Sequence, residues 1–182
     1  MSHDTKKLAR AALLLAIAIV FQFIGKNFPD SQVFVGPAVN AILILSAFIC
    51  GTGLGVMVGV FTPLLASLLG QLNPMLGPFI PFVMIGNAIY ILCFGLLKNK
   101  DIILSYIGII VAAILKFAFL DVSATKLVGM LHIVPSGNKG HLFNKLLLKS
   151  MTIPQLITGL IGGLIAVIII SILRKNKILD QN

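Results

Sequence analysis

Few residues in this 182-residue sequence have the types and spacing for covalent or metal chemistry. His3, His132 and His141 are far apart, and no His-Glu-x-x-His or paired-cysteine pattern accompanies them, so no metal site is expected. Cys50 and Cys93 fall toward the cytoplasmic ends of their helices in the topology below, a reducing location that argues against a disulfide. No glycine-rich loop ends in Gly-Lys-Ser or Gly-Lys-Thr, so no nucleotide site is expected, and the glycines between Gly51 and Gly59 read as helix-packing positions. No paired carboxylates or nucleophile–base constellation converge, which favours binding over catalysis. What remains is a set of polar side chains in apolar surroundings: Asn40, Asn87, Tyr90, Lys116 and Gln155, with Gln71 and Asn73 in a nearby connection. Amides donate and accept, which suits the edges of heterocycles, and lysine adds a compact cation.

The elements that carry these residues are set by hydropathy. The chain is 58% hydrophobic and 10% charged, with a mean hydropathy of +1.08, whereas a soluble chain is about a quarter charged. No Asp, Glu, Lys or Arg occurs in the 67 residues between Asp30 and Lys98, and a spanning helix takes about 20 apolar residues, so three passes fit there. Glycine and proline punctuation divides the chain into six apolar segments near 8–24, 37–50, 54–69, 78–97, 102–120 and 152–173. The runs are continuous rather than alternating, which excludes a transmembrane barrel, and backbone groups in lipid pair within their own helix. The expected fold is therefore an all-α membrane protein, a six-transmembrane-helix bundle forming one domain over residues 1–182. The first segment continues into Gly25, Lys26 and Asn27 rather than a small-residue cleavage site, so it reads as retained. The polar stretch 121–150 is an outer connection, in which His141 to Ser150 has the composition of a short interfacial helix.

Six spans put both termini on one side. The positive-inside bias places them in the cytoplasm, with Lys6, Lys7, Arg10, Lys98, Lys100, Arg174, Lys175 and Lys177 against Asp4, Asp101 and Asp180. The opposite set is Lys26, Lys126, Lys139, Lys145 and Lys149 against Asp30 and Asp121. The net charge of +9 is accounted for by such flanks, so no nucleic-acid partner is expected. At 1.5 Å per residue, Asn40 lies about 5 Å below the start of the second span and Asn87 about 13 Å below the start of the fourth, with Gln155 near the start of its helix, all three entering from outside. Lys116 is about four residues from the outer end of the fifth span. A hydrated outer cavity accounts for these positions together; outward snorkelling of Lys116 and amide bonds between helices account for them separately.

Ala12 and Ala16 stand four apart on one face of the first helix, a small-residue ridge that suits helix packing, either within the bundle or against a partner. The stretch Ala12-Leu-Leu-Leu-Ala16 resembles the Ala-x-x-x-Ala motif on the first helix of the S components of energy-coupling factor (ECF) transporters, which serve bacterial vitamin uptake. Val35 to Ala41, Phe61-Thr62-Pro63-Leu64-Leu65, Gly86-Asn87-Ala88-Ile89-Tyr90 and Pro154 to Gly163 extend the resemblance over nearly the whole chain. The resemblance implies a bacterial cell-membrane protein that works with a transmembrane T component, contacted through Ala12 and Ala16, and with two cytosolic ATPases. It implies a vitamin or vitamin precursor held under the external loops, toppling of the whole subunit to release it inward, no covalently bound cofactor, and ATP consumed by the partner subunits.

On these residues the binding site is expected at Asn40, Asn73, Asn87, Tyr90, Lys116 and Gln155, roofed by 71–74 and 121–150. The scarcity of acids in the outer half weighs against a cationic ligand, and Lys116 favours a carboxylate, a phosphate or an electron-rich heterocycle. A stand-alone carrier or channel and an integral membrane enzyme are the alternatives. The first would transport without ATPases; the second would turn over a lipid or prenyl substrate.

Overall fold

The computed structural model describes residues 2–28, 31–70, 72–97, 102–134 and 137–176. Asp30, Gln71, Lys98, Lys100, Asp101, Lys177 and Asp180, which entered the charge and site arguments, lie outside the described residues. Helices α1 (His3–Gly25), α2 (Gln32–Ile49), α3 (Thr52–Leu68), α4 (Ile80–Leu97), α5 (Ile102–Val122), α6 (Val128–Met130), α7 (Asn138–Met151) and α8 (Ile153–Lys175) follow in order. A 3-10 segment, Pro74–Phe79, leads into α4, and a π segment, Ser123–Leu127, joins α5 to α6. Among the described residues the protein is helical throughout, with no strand. Five stretches are long and apolar enough to cross a membrane: Asp4–Gly25, Gln32–Ile49, Pro74–Leu97, Ile103–Met130 and Asn138–Lys175. The apolar helix α3 is shorter, at 17 residues.

Local chemistry sets the ends. The Ser2 hydroxyl accepts from the Thr5 amide at 3.2 Å and caps α1, with Asp4 in the first turn facing the positive end of the helix dipole. Gly51, at φ +98°, makes the bend between α2 and α3 in a conformation that side chains rarely adopt.

The fifth apolar segment does not end near Leu120. The helix runs on to Met130 because its inner face stays apolar or small: Leu120, Ala124 and Val128 pack with Leu76, Phe79, Phe143 and Leu147. Its hydroxyls bond back to their own helix, Ser123 to the Phe119 carbonyl and Thr125 to the Asp121 carbonyl, both at 2.7 Å. Polar composition there marks a helix emerging from the bundle, not a loop. Chain reversal comes after Met130, where His132 takes φ +53°. The stretch 121–150 is thus mostly helical, ending in amphipathic α7.

The main core is formed by α2, α4, α5 and α8, through Leu43, Ile44, Tyr90, Ile91, Phe94, Ile109, Ala112, Ala113, Ala166 and Val167, all inaccessible to solvent. Helix α8 has its most extensive contact with α2 and also packs on α5. Missing side chains permit both: a Cβ on Gly162 would strike the Pro37 carbonyl and Asn40, one on Gly36 would lie 2.6 Å from a Thr158 methyl, and one on Gly163 would strike Ile109. Helix α1 is peripheral. In its most apolar window 17% of the residues are buried, against 56% for α2, so most of its surface is left to other partners or lipid. Ala11 and Ala18 face the bundle, whereas Ala9, Ala12 and Ala16 are exposed.

Candidate functional site

Lys116 is 2% exposed although it belongs to the apolar helix α5. Its Nζ donates to Asn40 Oδ1 at 2.7 Å and lies 5.2 Å from the centre of the Tyr90 ring. An amide oxygen and an aromatic face stabilise an ammonium without neutralising it. Among the described residues no carboxylate reaches Lys116, and two of its three N–H groups have no acceptor.

Each supporting group is held by its own helix pair. Asn40 Nδ2 donates to the Gly36 carbonyl at 2.9 Å and to Thr158 Oγ1 at 3.4 Å, so the amide that receives Lys116 is fixed in rotation by α2 and α8. The Tyr90 hydroxyl donates to the Gly159 carbonyl at 2.7 Å, in space kept free by Gly163, where a Cβ would come within 2.8 Å of that oxygen. Asn87 Nδ2 donates to the Gly59 carbonyl at 2.9 Å. Four residues on from Gly59 stands Pro63, which has no N–H, so Asn87 on α4 supplies the hydrogen that α3 lacks. Gln155 Nε2 reaches back to the Ser150 carbonyl at 3.3 Å, across the α7–α8 junction.

Asn40, Asn87, Lys116 and Gln155 open on one cavity of about 150 Å³. That is room for several waters or one small ring system. Its wall takes Gln22 and Gly25 from α1, Val35, Gly36, Val39 and Asn40 from α2, and Thr62 and Pro63 from α3. Val83 and Asn87 from α4, Lys116 from α5, Met151 from α7 and Gln155 from α8 complete the body, with Lys26, Ser31, Gln32 and Leu72 around the rim. The lining is mixed, amide and cation over an aliphatic floor, as small-molecule sites are. No Asp or Glu occurs among the described residues of that wall. The site lies at the end of the bundle where α1 and α3 finish and α2, α4 and α8 begin. At the other end Arg174 stacks on Phe48 at 5.0 Å, close to where α2 finishes.

The chain matches the family described as "ECF transporter, substrate-specific component" over residues 6–174, nearly its full length. The chain belongs to this family. Neither curated proteins nor solved structures returned a significant match. It is accordingly a membrane-embedded component of a transporter, the component that binds substrate. The ECF match covers all the wall residues of the cavity.

Of the six residues expected at the site, Asn40, Asn87, Lys116 and Gln155 line the cavity of this ECF component. Tyr90 lies beneath it, fully buried, with its ring under Lys116. Asn73 is elsewhere: it is exposed and caps the 3-10 segment, its Oδ1 accepting from the Met75 amide at 3.0 Å, while its neighbour Leu72 takes the place on the rim. An asparagine before a proline is a turn former first. Sequence reasoning passed over Gln22, Thr62, Ser31 and Gln32. Gln22 and Thr62 were visible as polar positions within the apolar runs of α1 and α3. Thr62, however, spends its hydroxyl on the Val58 carbonyl at 2.6 Å, so it contributes a methyl surface and an acceptor.

Proposed function

We propose that this chain binds a small vitamin or vitamin precursor in the Lys116 cavity from the outer face of a bacterial cell membrane, and that import requires an ECF T component and two ATPases. One observation carries the reading: a buried lysine, with no counter-charge among the described residues, opens on a cavity to which α1, α2, α3, α4, α5 and α8 all contribute, in a chain of this family. A bound carboxylate, phosphate or electron-rich heterocycle would supply the missing acceptor. Asn40, Asn87 and Gln155 bind beside Lys116, and Tyr90 positions it from below. The protein holds no covalent cofactor, and ATP is used by the partner subunits.

The same reading makes α3 a sixth span. Seventeen residues are at the lower limit for crossing a bilayer, and α3 packs along α1, α2 and α4 while giving Thr62 and Pro63 to the cavity. Six spans with cationic Lys6, Lys7, Arg10, Arg174 and Lys175 at one end put both termini in the cytoplasm. Ala12 and Ala16, exposed on the peripheral helix, meet the T component. Reconstitution tests this. Proteoliposomes holding this chain with a T component and ATPases should accumulate substrate when ATP is supplied, and those holding this chain alone should not. Uptake by the chain alone would make it a free-standing carrier instead.

A further inference from the structure

Gln22, in the last turns of α1, carries the one buried side-chain polar atom without a hydrogen-bond partner among the described residues, its Oε1. Asn40, Thr62, Asn87, Tyr90 and Lys116, the other buried polar groups around the cavity, each make at least one hydrogen bond on their own or a neighbouring helix, as folded interiors require. An orphaned acceptor is therefore an exception that needs a cause. Its location supplies one, because Gln22 lines the same cavity as Lys116.

We infer that Gln22 is a substrate-recognition residue whose Oε1 accepts a hydrogen bond from an N–H or O–H group of the bound molecule. The inference rests on the binding role proposed above and narrows its substrate. Lys116 presents two donors with no acceptor, and no acid among the described wall residues offers them one. Gln22 presents an acceptor with no donor. A ligand that satisfies both has an acidic or strongly accepting group at one end and an N–H or O–H at the other. Asn87 fits either end: one amide hydrogen goes to Gly59, and its second hydrogen and its oxygen have no partner among the described residues. The substrate class is thus a small bifunctional molecule, such as a hydroxy or amino acid or an N–H-bearing heterocyclic acid. A purely cationic or donor-free compound is disfavoured, since it would displace water from the cavity and leave Lys116 or Gln22 unpaired.

The probe is the endogenous small-molecule fraction that full-length protein carries through purification into lipid nanodiscs, released by heat and identified by mass spectrometry. Wild-type protein should release a molecule with both an acidic or accepting group and an N–H or O–H donor. Gln22→Met, which keeps length and removes the acceptor, should retain at least tenfold less of it. The emptied variant should melt no lower than emptied wild type, because an unsatisfied acceptor has been removed rather than a bond. Equal retention by wild type and Gln22→Met, or a retained molecule lacking either group, overturns the inference and leaves the binding role standing. Wild-type protein that carries no small molecule at all overturns the binding role, and this inference with it.

Discussion

At the scale of the residue, the site depends on how Lys116 is kept inside an apolar helix. The ammonium has an amide oxygen at 2.7 Å and an aromatic face at 5.2 Å but no counter-charge among the described residues, so a ligand acceptor would be bound against little competition. Lys116→Met preserves length and apolar packing. It should weaken binding of the co-purifying molecule by about 1.5–3 kcal/mol, the scale of a charged hydrogen bond, measured by isothermal titration. Unchanged affinity would remove Lys116 from the site. Tyr90→Phe separates ring from hydroxyl: it should lower stability by about 1 kcal/mol through loss of the bond to Gly159, while the ring stays beneath the lysine and affinity changes less. Asn40, Asn87, Lys116 and Gln155, which the structure brings to the cavity wall, were legible because amides and a lysine stand out against 58% hydrophobic sequence. That Asn73 lies off that wall and Gln22 on it was not legible for one reason: polarity marks a residue as unusual, but whether it points into a cavity depends on how its helix is rotated and on which backbone group its side chain already satisfies.

At the scale of the element, helices are made and mended by their neighbours. The charge-free stretch from Ser31 to Leu97 made the helical content plain, yet it misplaced ends. Helix α2 begins at Gln32, ahead of Pro37, because close packing on α8 holds that turn; α5 passes Leu120 because Ala124 and Val128 find Phe79 and Phe143. Those partners are distant in sequence, and no local pattern reports them. The Pro63–Asn87 relation makes a sharper case. Asn87→Leu should leave the Gly59 carbonyl unpaired and cost about 1–3 kcal/mol in thermal or denaturant unfolding. Pro63→Ala restores an N–H four residues after Gly59, so the same Asn87 substitution made in that background should cost measurably less. Additive effects in the double-mutant cycle would show that the amide is not serving the helix ladder.

At the scale of the whole molecule, the proposed binding and coupling surfaces are separate and are joined by α1, which offers Gln22 to the cavity and leaves Ala12 and Ala16 exposed. Replacing both alanines with leucine should leave retention of the co-purifying molecule unchanged and reduce uptake in the four-protein assembly several-fold. Unchanged uptake would show that the coupling face lies elsewhere. The glycine-lined contact of α2 with α8 has a consequence for exchange kinetics. Backbones that approach so closely at Pro37, Ala41 and Gly162 leave little room for water between them, and the two helices cannot part without breaking the anchor of Asn40. Their central amides, around 40–44 and 162–167, should therefore be the last to take up deuterium, while those of α1 exchange orders of magnitude sooner. The seam then acts as the keel of the bundle, and whatever admits a substrate to the cavity must move against it.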